Sequence, residues 1–326
     1  MKIKKYYIAI VVVVLCLFSL VFCSNLKPNK DKKEIGIIQI IEHDCLNQAR
    51  HGFIDGLAEF GYKDGENIKI DYKNAQGDQS ICNSIANGFV NSNSKKDLIL
   101  AISTPAAQAV ANLTKEIPIL ITAVTDPESC GLAASKEHPG ANVTGTSDMV
   151  QIEKQIKLIK KLLPNAQKVG VLYCSNEINS KIQGEMASKA AETLGMKTTD
   201  YTVSNSNELP QVMDYMGKSV DAVFVPTDNL VVSCMPLVSK LATSNGVPII
   251  CSEAASVKNG ALATYGIDFY ELGKLTARQA VKILNGEATP QNMPIEYLNT
   301  PKLFLNIEAA EKLGIIIPDD LKGDLQ

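Results

Sequence analysis

The sequence contains no tryptophan and only three histidines in 326 residues, and aromatic residues make up 6% of it. Three histidines leave few side chains that exchange protons near neutral pH, which argues against acid–base catalysis. The absence of tryptophan also has a practical consequence. The indole emission of added tryptophan would stand almost free of protein background. These scarcities point away from an enzyme.

Motifs that bind nucleotides or hydrolyse substrates are also absent from the sequence. It has no G-x-x-x-x-G-K-[ST] and no G-x-G-x-x-G segment for phosphate binding. It lacks the G-x-S-x-G elbow of hydrolases and the H-E-x-x-H helix of zinc proteases. The net charge is −3 with no long basic run in the mature chain, so nucleic acid is not an expected partner. We predict a protein that is not an enzyme and that uses no cofactor.

Cysteine occurs eight times, but never as a C-x-x-C pair. The cysteines beyond residue 23 are widely spaced and lie mostly in or beside apolar runs, which predicts buried thiols rather than a disulfide framework. The segment IEHDC places acidic, histidine and cysteine side chains next to one another. Adjacent residues of a strand point to opposite faces and do not converge easily, so we predict no metal site.

The first residues have the features of an export signal. Lysines precede the apolar run Ile8 to Phe22, which is shorter than the roughly 20 residues of a transmembrane helix. Cys23 follows, and the arrangement resembles the lipobox of bacterial lipoproteins, although Phe22 replaces the small residue usual before the cysteine. We expect a signal peptide at residues 1–22, lipidation of Cys23 and a linker at residues 23–33. The protein is then extracytoplasmic and anchored to the cell membrane.

The rest of the chain repeats one order of segments twice. An apolar run opens each half, EIGIIQI in the first and KVGVLYC in the second. Each precedes an amphipathic helix that stops at a glycine, Gly61 or Gly195, as helix C-termini commonly do. Further apolar runs alternate with helix-like segments. This pattern predicts two α/β lobes, each a doubly wound parallel sheet with helices on both faces.

The chain is expected to pass between the lobes more than once, which makes the hinge multi-stranded. We place one crossing near Asp148 and another near Asp268, after which a helix returns to the first lobe. The segment LFLNIEAAEKLGI then completes the second lobe. The first lobe is expected to comprise residues 34–148 and 268–295, and the second lobe residues 149–267 and 296–326.

Polar side chains collect where the predicted strands end. In open α/β sheets a ligand lies beyond the carboxyl ends of the strands, so these side chains are the candidate binding residues. They are mainly hydroxyls and carboxylates from both halves: Glu42, His43, Ser103, Thr104, Thr122, Thr125, Asp126, Thr227, Asn229, Ser252, Glu253 and Asp268. Donors suit a carboxylate and acidic groups suit an ammonium, so the set favours a zwitterion such as an amino acid.

Two explanations remain open for the hydroxyl pair in STPAAQA. Thr104 suits a helix N-cap with Pro105 at the first helical position, which would make its hydroxyl structural. Alternatively, the free N–H groups at the helix start attract an anion, and Ser103 adds a donor. A similar choice applies to Glu253 and Asp268, which are either ligand partners or caps and salt-bridge partners.

Several motifs, in this order, resemble the solute-binding lipoproteins of ABC importers: STPAAQA, AVTDP, NVTGTSD, VPTDN, SEAASVKNGALATYGIDFYELG and LFLNIEAAEKLGI. The chain is similar to the tryptophan- and aromatic-amino-acid-binding group, which has the type I periplasmic-binding-protein fold. The resemblance implies a monomer that captures an amino acid, such as tryptophan or phenylalanine, between its lobes. It would deliver this ligand to a membrane permease powered by a separate ATPase subunit.

The resemblance also implies roles for individual residues. The ligand carboxylate would meet hydroxyls of the first lobe: Ser103, Thr104, Thr122 and Thr125. Glu253 would meet the ammonium. Other side chains would complete the cage or line its mouth: Thr227, Asn229, Asp268, Glu42 and His43. Two alternatives stay open, namely another solute in the same fold (a branched-chain amino acid, a nucleoside or a sugar) and an extracytoplasmic sensor domain.

Overall fold

The computed structural model describes residues 32–91 and 95–322, so the predicted signal peptide and Cys23 lie outside the described residues. This part of the chain forms two lobes, each built on a six-stranded sheet flanked by helices. The predicted fold class, two α/β lobes with doubly wound parallel sheets, is confirmed. Within the described ranges, no helix combines the length and the apolar character needed to cross a bilayer.

The first sheet has the spatial order β11-β5-β4-β3-β1-β2, and its neighbouring strands all run parallel. Its strands are β1 Lys33–Gln39, β2 Ile68–Asn74, β3 Leu98–Ile102, β4 Ile119–Val124, β5 Val143–Ser147 and β11 Glu296–Tyr297. Strands β3 and β4 are buried at every residue. A strand covered on both faces needs a continuous apolar run, which is what the sequence provides in the centre of this sheet.

The second sheet repeats this arrangement in the order β12-β10-β9-β8-β6-β7. Its strands are β6 Lys168–Cys174, β7 Lys197–Val203, β8 Ala222–Val225, β9 Ile249–Cys251, β10 Ala263–Gly266 and β12 Lys302–Leu305. Only β12 pairs antiparallel, at the edge beside β10. Because the remaining strands are parallel, their carboxyl ends meet at one edge, and the polar loops that follow them collect there.

Helices connect the strands of both sheets. In chain order they are α1 Asp44–Glu59, α2 Gln79–Asn91, α3 Thr104–Ala111, α4 Ile152–Leu162, α5 Ile178–Thr193, α6 Leu209–Gly217, α7 Asn229–Ser233, α8 Met235–Ser244, α9 Ala254–Lys258, α10 Phe269–Leu284, α11 Ile307–Lys312 and α12 Asp319–Lys322. The predicted glycine stop of α1 is present: Gly61 has φ 85° and follows the C-cap residue Phe60. Such a left-handed residue ends a helix at little cost only when it lacks a Cβ atom.

Helix α10 follows β10 of the second sheet but packs on α1 of the first lobe. The two helices touch through glycines, because a Cβ atom on Gly52 would lie 1.9 Å from the Tyr270 carbonyl oxygen. A Cβ atom on Gly273 would lie 2.0 Å from the Ala49 carbonyl oxygen. This close contact holds the returning helix against the first lobe.

The chain passes between the lobes after β5, after β10 and again after β11. The last crossing lies slightly beyond the expected boundary at residue 295. Glu296 pairs with Thr146 and Tyr297 pairs with Ser147, so both residues extend the first sheet. A strand of two half-buried residues carries no apolar run, and the sequence pattern therefore did not indicate it.

Candidate ligand-binding cleft

Ser103 lies where β3 passes into α3, and its backbone is strained. It has φ 89° and ψ 158°, a region that residues other than glycine rarely occupy. Its N–H donates to the Thr122 carbonyl oxygen at 3.0 Å. The side chain is only 1% exposed, yet its Oγ has no hydrogen-bond partner in the described chain. A strained residue with an unpaired buried hydroxyl indicates a position kept for a ligand.

Thr104 shares this property, and it does not cap the helix. Helix α3 begins at Thr104 itself, Ser103 occupies the N-cap position, and no side chain caps the helix start. The Thr104 Oγ1 is buried without a partner among the described residues. The structural explanation for the hydroxyl pair therefore does not hold. The two hydroxyls and the start of α3 form a set of donors that suits a carboxylate.

The other predicted hydroxyls of the first lobe are Thr122, which lies within β4, and Thr125, which follows it. The Thr122 hydroxyl accepts a hydrogen bond from Thr146 Oγ1 at 3.1 Å, so it links β4 to β5 inside the lobe. Thr125 is buried, and its hydroxyl lies close enough to Asp148 to favour the ionised form of that carboxyl. The structure thus leaves Ser103 and Thr104 free, while Thr122 has an internal partner.

Asp148 follows β5 directly and faces the same cleft. The sequence predicted it as a residue at a strand end and a crossing point, but not as a binding residue. It is 2% exposed, and neither carboxyl oxygen has a hydrogen bond of ordinary geometry in the described chain. Burial raises the pKa of Asp148 to about 6. The signal that could have identified it is its place at the end of the strand in NVTGTSD, the same kind of position as the other candidates.

Glu253 enters the cleft from the second lobe, at the residue before α9. It is 2% exposed and its Oε2 has no hydrogen-bond partner within the described ranges. His43 approaches from the first lobe, with Nδ1 lying 3.8 Å from Oε2 of Glu253, and neither ring nitrogen has a hydrogen-bond partner among the described residues. Burial lowers the pKa of His43 to about 4 and raises that of Glu253 to about 8. The imidazole is therefore neutral at pH 7, and this contact is not an ion pair.

His43, Cys45 and Glu253 bring a nitrogen, a sulfur and an oxygen atom within 4.8 Å of one another. The residues of IEHDC were not expected to converge, but Cys45 lies in the first turn of α1 rather than on a strand. Zn²⁺ accepts such ligands, with the cysteine as a thiolate. Burial, together with the nearby Glu253, holds the pKa of the Cys45 thiol well above its ordinary value. A protonated thiol suits hydrogen bonding better than metal binding.

The remaining second-lobe candidates are hydrogen bonded to Gln183 of α5 and to Glu177, the residue just before that helix. Gln183 Oε1 accepts from the Thr227 backbone N–H at 2.8 Å and from the Ser252 hydroxyl at 3.2 Å. The Asn229 backbone N–H donates to Glu177 Oε2 at 3.1 Å, and its side-chain amide contacts the same carboxyl oxygen. These bonds fix the loops after β8 and β9, so Thr227, Asn229 and Ser252 shape the cleft wall.

Three predicted residues are not brought into the cleft. Asp268 caps α10, because its Oδ1 accepts from the N–H groups of Tyr270 and Glu271. Asp126 closes a turn by accepting from the backbone N–H and hydroxyl of Ser129. Glu42 is exposed and lies 3.5 Å from the Tyr72 hydroxyl. Aspartate at a strand end serves equally well as a cap, which is why sequence could not separate these positions from ligand contacts.

A cavity of about 290 Å³ adjoins this cluster between the lobes. Its lining includes Asn229 of α7 and Pro105, the residue after Thr104, but not Ser103, Thr104, Asp148 or Glu253. Part of its wall is apolar, and the rest carries polar groups. The apolar residues are Ile40, Ile41, Pro105 and Leu230, and the polar ones include Asp78, Gln79, Ser80, Asn176 and Ser204. A compact cavity with apolar walls and a few polar groups is typical of a small-molecule site.

Two α/β lobes joined by several crossings, with unpaired polar groups facing each other in the cleft, define a solute-binding protein of the type I periplasmic-binding class. The chain belongs to the ABC transporter substrate binding protein family, whose sequence profile matches residues 34–324. The fold and family implied by the motifs are thereby confirmed. The solved structures discussed next share this two-lobed architecture.

Relatives of known identity support this assignment. The chain is 46% identical over 287 residues to a tyrosine-binding protein of Clostridioides difficile (strain R20291), covering 88% of this chain and 82% of the relative. It is 37% identical to a Streptococcus pneumonia ABC domain solved in complex with L-Trp, with a TM-score of 0.87 and coverage of 91% of this chain and 100% of that one.

A third comparison informs on the arrangement of the lobes. A ligand-free, open structure of a substrate binding protein with adhesive properties from Clostridium difficile is 44% identical, covers 90% of this chain and 99% of its own, and gives a TM-score of 0.67. The L-Trp complex is less identical in sequence but has the higher TM-score of 0.87. The lobes of this chain are therefore arranged more like those of the ligand-bound relative than those of the open one.

Proposed function

We propose that this chain is the extracytoplasmic solute-binding component of an ABC importer and that it captures an aromatic L-amino acid. It holds the ligand between its lobes and delivers it to a membrane permease, with a separate ATPase subunit driving import. The chain itself carries out no covalent chemistry and acts as a monomer. Membership of the substrate-binding family supports the transport role.

The ligand proposal rests on one observation. In the buried cleft, hydroxyl donors without partners lie on one side and carboxyl groups without partners lie on the other. Unpaired hydroxyls of Ser103 and Thr104 lie in the first lobe, and unpaired carboxyl oxygens of Asp148 and Glu253 lie at the hinge and in the second lobe. An amino-acid zwitterion satisfies both groups, because its carboxylate accepts from hydroxyls and its ammonium donates to carboxylates. A neutral sugar would leave the acidic side without a cation.

The adjoining cavity supports an aromatic side chain. Its apolar wall suits a ring, and its polar groups suit a hydroxyl or an indole N–H at the far end of that ring. A tyrosine-binding relative at 46% identity and an L-Trp complex at 37% identity support the same class of ligand. Tyrosine is our first choice, with tryptophan and phenylalanine next.

The proposal is tested by titrating the purified protein with L-tyrosine, L-tryptophan and L-phenylalanine in a calorimeter, with L-leucine, a nucleoside and a sugar for comparison. Ligand at 100 times its dissociation constant should stabilise the fold by about 2.7 kcal/mol, which melting curves detect easily. Saturable binding of an aromatic amino acid is expected. Binding of another solute alone would contradict the proposal of an aromatic ligand. If none of the tested solutes binds, the sensor alternative is favoured.

We further propose that the protein is held outside the cell membrane by a lipid on Cys23. The apolar run that precedes Cys23 supports this, and the family is extracytoplasmic. Cys23→Ala should release the protein from the membrane fraction into the medium or leave its signal uncleaved, and mass spectrometry of the N-terminal peptide distinguishes the two. An unmodified, membrane-bound wild type would contradict the anchor.

A further inference from the structure

Two carboxyls with unpaired oxygens face the cleft from different parts of the chain. Asp148 follows β5 in the first lobe, and Glu253 precedes α9 in the second lobe. Each is 2% exposed, and both oxygens of Asp148 and Oε2 of Glu253 lack hydrogen-bond partners in the described part of the chain. The two carboxyls lie close enough together for the charge of Asp148 to raise the pKa of Glu253.

An amino-acid ligand carries one ammonium, which balances only one of these carboxylates. Its own carboxylate is taken up by the hydroxyl side of the cleft. The bound zwitterion has no net charge, so two ionised carboxyls would give the closed cleft two excess negative charges, and one of the two carboxylates would have no cationic partner. Such a charge is strongly disfavoured in a site removed from water, so one of the two carboxyls must carry a proton in the complex.

The surroundings of the two carboxyls differ. The neighbours whose charges would act on Glu253 are carboxyls, namely Asp148, Asp228 and Glu177, and Asp228 keeps its own proton near neutral pH because burial raises its pKa to about 8. The other titratable groups facing it are the neutral His43 and the thiols of Cys45 and Cys251. The Cys45 S–H can donate to Glu253 and offsets only part of the rise that burial causes in its pKa. An additional negative charge on Glu253 would thus lie among acids and neutral groups.

Burial raises the pKa of Asp148, but a neighbouring donor offsets part of this effect. The Thr125 hydroxyl lies close enough to turn its O–H toward the carboxylate, which lowers the pKa. The thiol of Cys130, which is also near, is neutral because burial raises its pKa to about 11. Asp148 is therefore the better place for the one negative charge, and its pKa of about 6 lies below the value of about 8 for Glu253.

We propose that Asp148 is the acceptor for the ligand ammonium, and that Glu253 acts in the closed cleft as a neutral carboxylic acid that takes up a proton when the lobes close. This assignment rests on the proposed function and specifies how that site recognises its ligand. In the open protein, water solvates Glu253 and it is ionised. On closure its carboxylate binds one proton from the solvent, and the resulting O–H becomes a hydrogen-bond donor.

Isosteric variants separate the two roles. Glu253→Gln mimics the neutral acid and should bind L-tyrosine within about threefold of the wild type, since amide and acid offer similar hydrogen bonds. Asp148→Asn removes the charge that pairs with the ammonium and should weaken binding by about 100-fold. Asp126→Asn, at a turn outside the cleft, is the matched control and should bind like the wild type. Melting curves of each variant show whether it is folded.

Proton uptake on ligand binding is a second measurement. It would not change if Glu253 had only a structural role. Wild-type binding should take up about one proton near pH 7 and about half a proton near pH 8, measured by calorimetry in two buffers of different ionisation enthalpy. Its affinity should accordingly fall as the pH rises through this range. Glu253→Gln should show almost no proton uptake, because its amide does not titrate.

The results that overturn the assignment are distinct from those that overturn the proposed function. Loss of affinity in Glu253→Gln with retention in Asp148→Asn would reverse the roles, and equal losses in both would show that two charges are required. Wild-type binding without proton uptake also contradicts the proposal. A folded wild type that binds none of the aromatic amino acids overturns the proposed function, and this assignment with it.

Discussion

Ser103 combines a strained backbone, almost complete burial and a hydroxyl with no hydrogen-bond partner in the part of the chain that the structure describes. Its residue type and its position after a strand can be predicted from sequence, but its conformation cannot. The φ of 89° occurs together with a hydrogen bond from the Ser103 N–H to the Thr122 carbonyl oxygen of the neighbouring strand. This tertiary contact decides that the hydroxyl is free for a ligand, whereas local sequence preferences favour a helix cap.

Ser103→Ala should weaken binding of the aromatic amino acid by about 10-fold or more, because a hydrogen bond to a charged carboxylate is lost. The measurement is the dissociation constant from calorimetric titration. Ser129→Ala is the matched control, since that hydroxyl bonds Asp126 in a turn outside the cleft. Equal affinities of the wild type and Ser103→Ala would remove Ser103 from the site.

Ser103→Gly should separate binding from stability. Glycine adopts the observed backbone conformation without strain, so the free energy of unfolding of the ligand-free protein should increase by about 1 kcal/mol. Affinity should fall as in the alanine variant, because the hydroxyl is again missing. Denaturant unfolding checks the first part, and a loss of stability in Ser103→Gly would contradict the strain argument.

At the scale of helices and strands, the sequence predicted most of the fold. Continuous apolar runs produced the buried strands β3 and β4, and Gly61 ends α1 as expected. The two-residue β11 was missed because it is defined only by its pairing with β5. The contact between α1 and α10 was also not predictable, because it joins residues more than 200 positions apart and depends on two backbones approaching each other.

The glycine contact between α1 and α10 gives a direct test of that packing. Gly52→Ala would place a Cβ atom 1.9 Å from the Tyr270 carbonyl oxygen, so it should lower the free energy of unfolding by about 1–3 kcal/mol or more. Gly88→Ala is the control, because Gly88 lies in α2 and no atom of the described residues lies within 4 Å of the added Cβ. It should instead stabilise by about 0.5–1 kcal/mol. Similar effects in both variants would contradict the close contact.

The loop between β8 and α7 should make stability depend on pH. Burial, with the nearby charge of Glu177, raises the pKa of Asp228 to about 8. Between the ordinary aspartate value of about 4 and this value, the folded protein keeps a proton that the unfolded chain releases. The free energy of unfolding should therefore decrease as the pH rises through this window.

Asp228→Asn should flatten this dependence, because the amide does not titrate, although it also weakens the bonds from the N–H groups of Cys174 and Val231. The slope of stability against pH, from denaturant unfolding between pH 4 and 8, is the informative quantity. A slope that is the same in the variant as in the wild type would show that Asp228 is ionised in the folded protein.

At the scale of the whole molecule, the two lobes meet across the cleft. His43 lies near Glu253, and the Asn259 side chain donates to Asp44 at 3.4 Å. Together with the higher TM-score to the L-Trp complex, these contacts indicate a closed arrangement. We expect the ligand-free protein to open and the ligand to close it, since closure buries the ligand and completes the contacts.

Small-angle X-ray scattering should therefore show a smaller radius of gyration for the protein with saturating L-tyrosine than for the protein alone. L-leucine at the same concentration is the control for unspecific effects. A radius that does not change on saturation would contradict closure by the ligand.

The central claim is that the cleft recognises a zwitterion, and the most direct test removes one charge of the ligand at a time. Calorimetric titration of the purified protein with L-tyrosine should give a dissociation constant near micromolar, corresponding to roughly 8 kcal/mol. Tyramine, which lacks the carboxylate, and N-acetyl-L-tyrosine, which lacks the ammonium, should each bind at least about 100-fold more weakly. Binding of either analogue as tight as that of L-tyrosine would contradict the account.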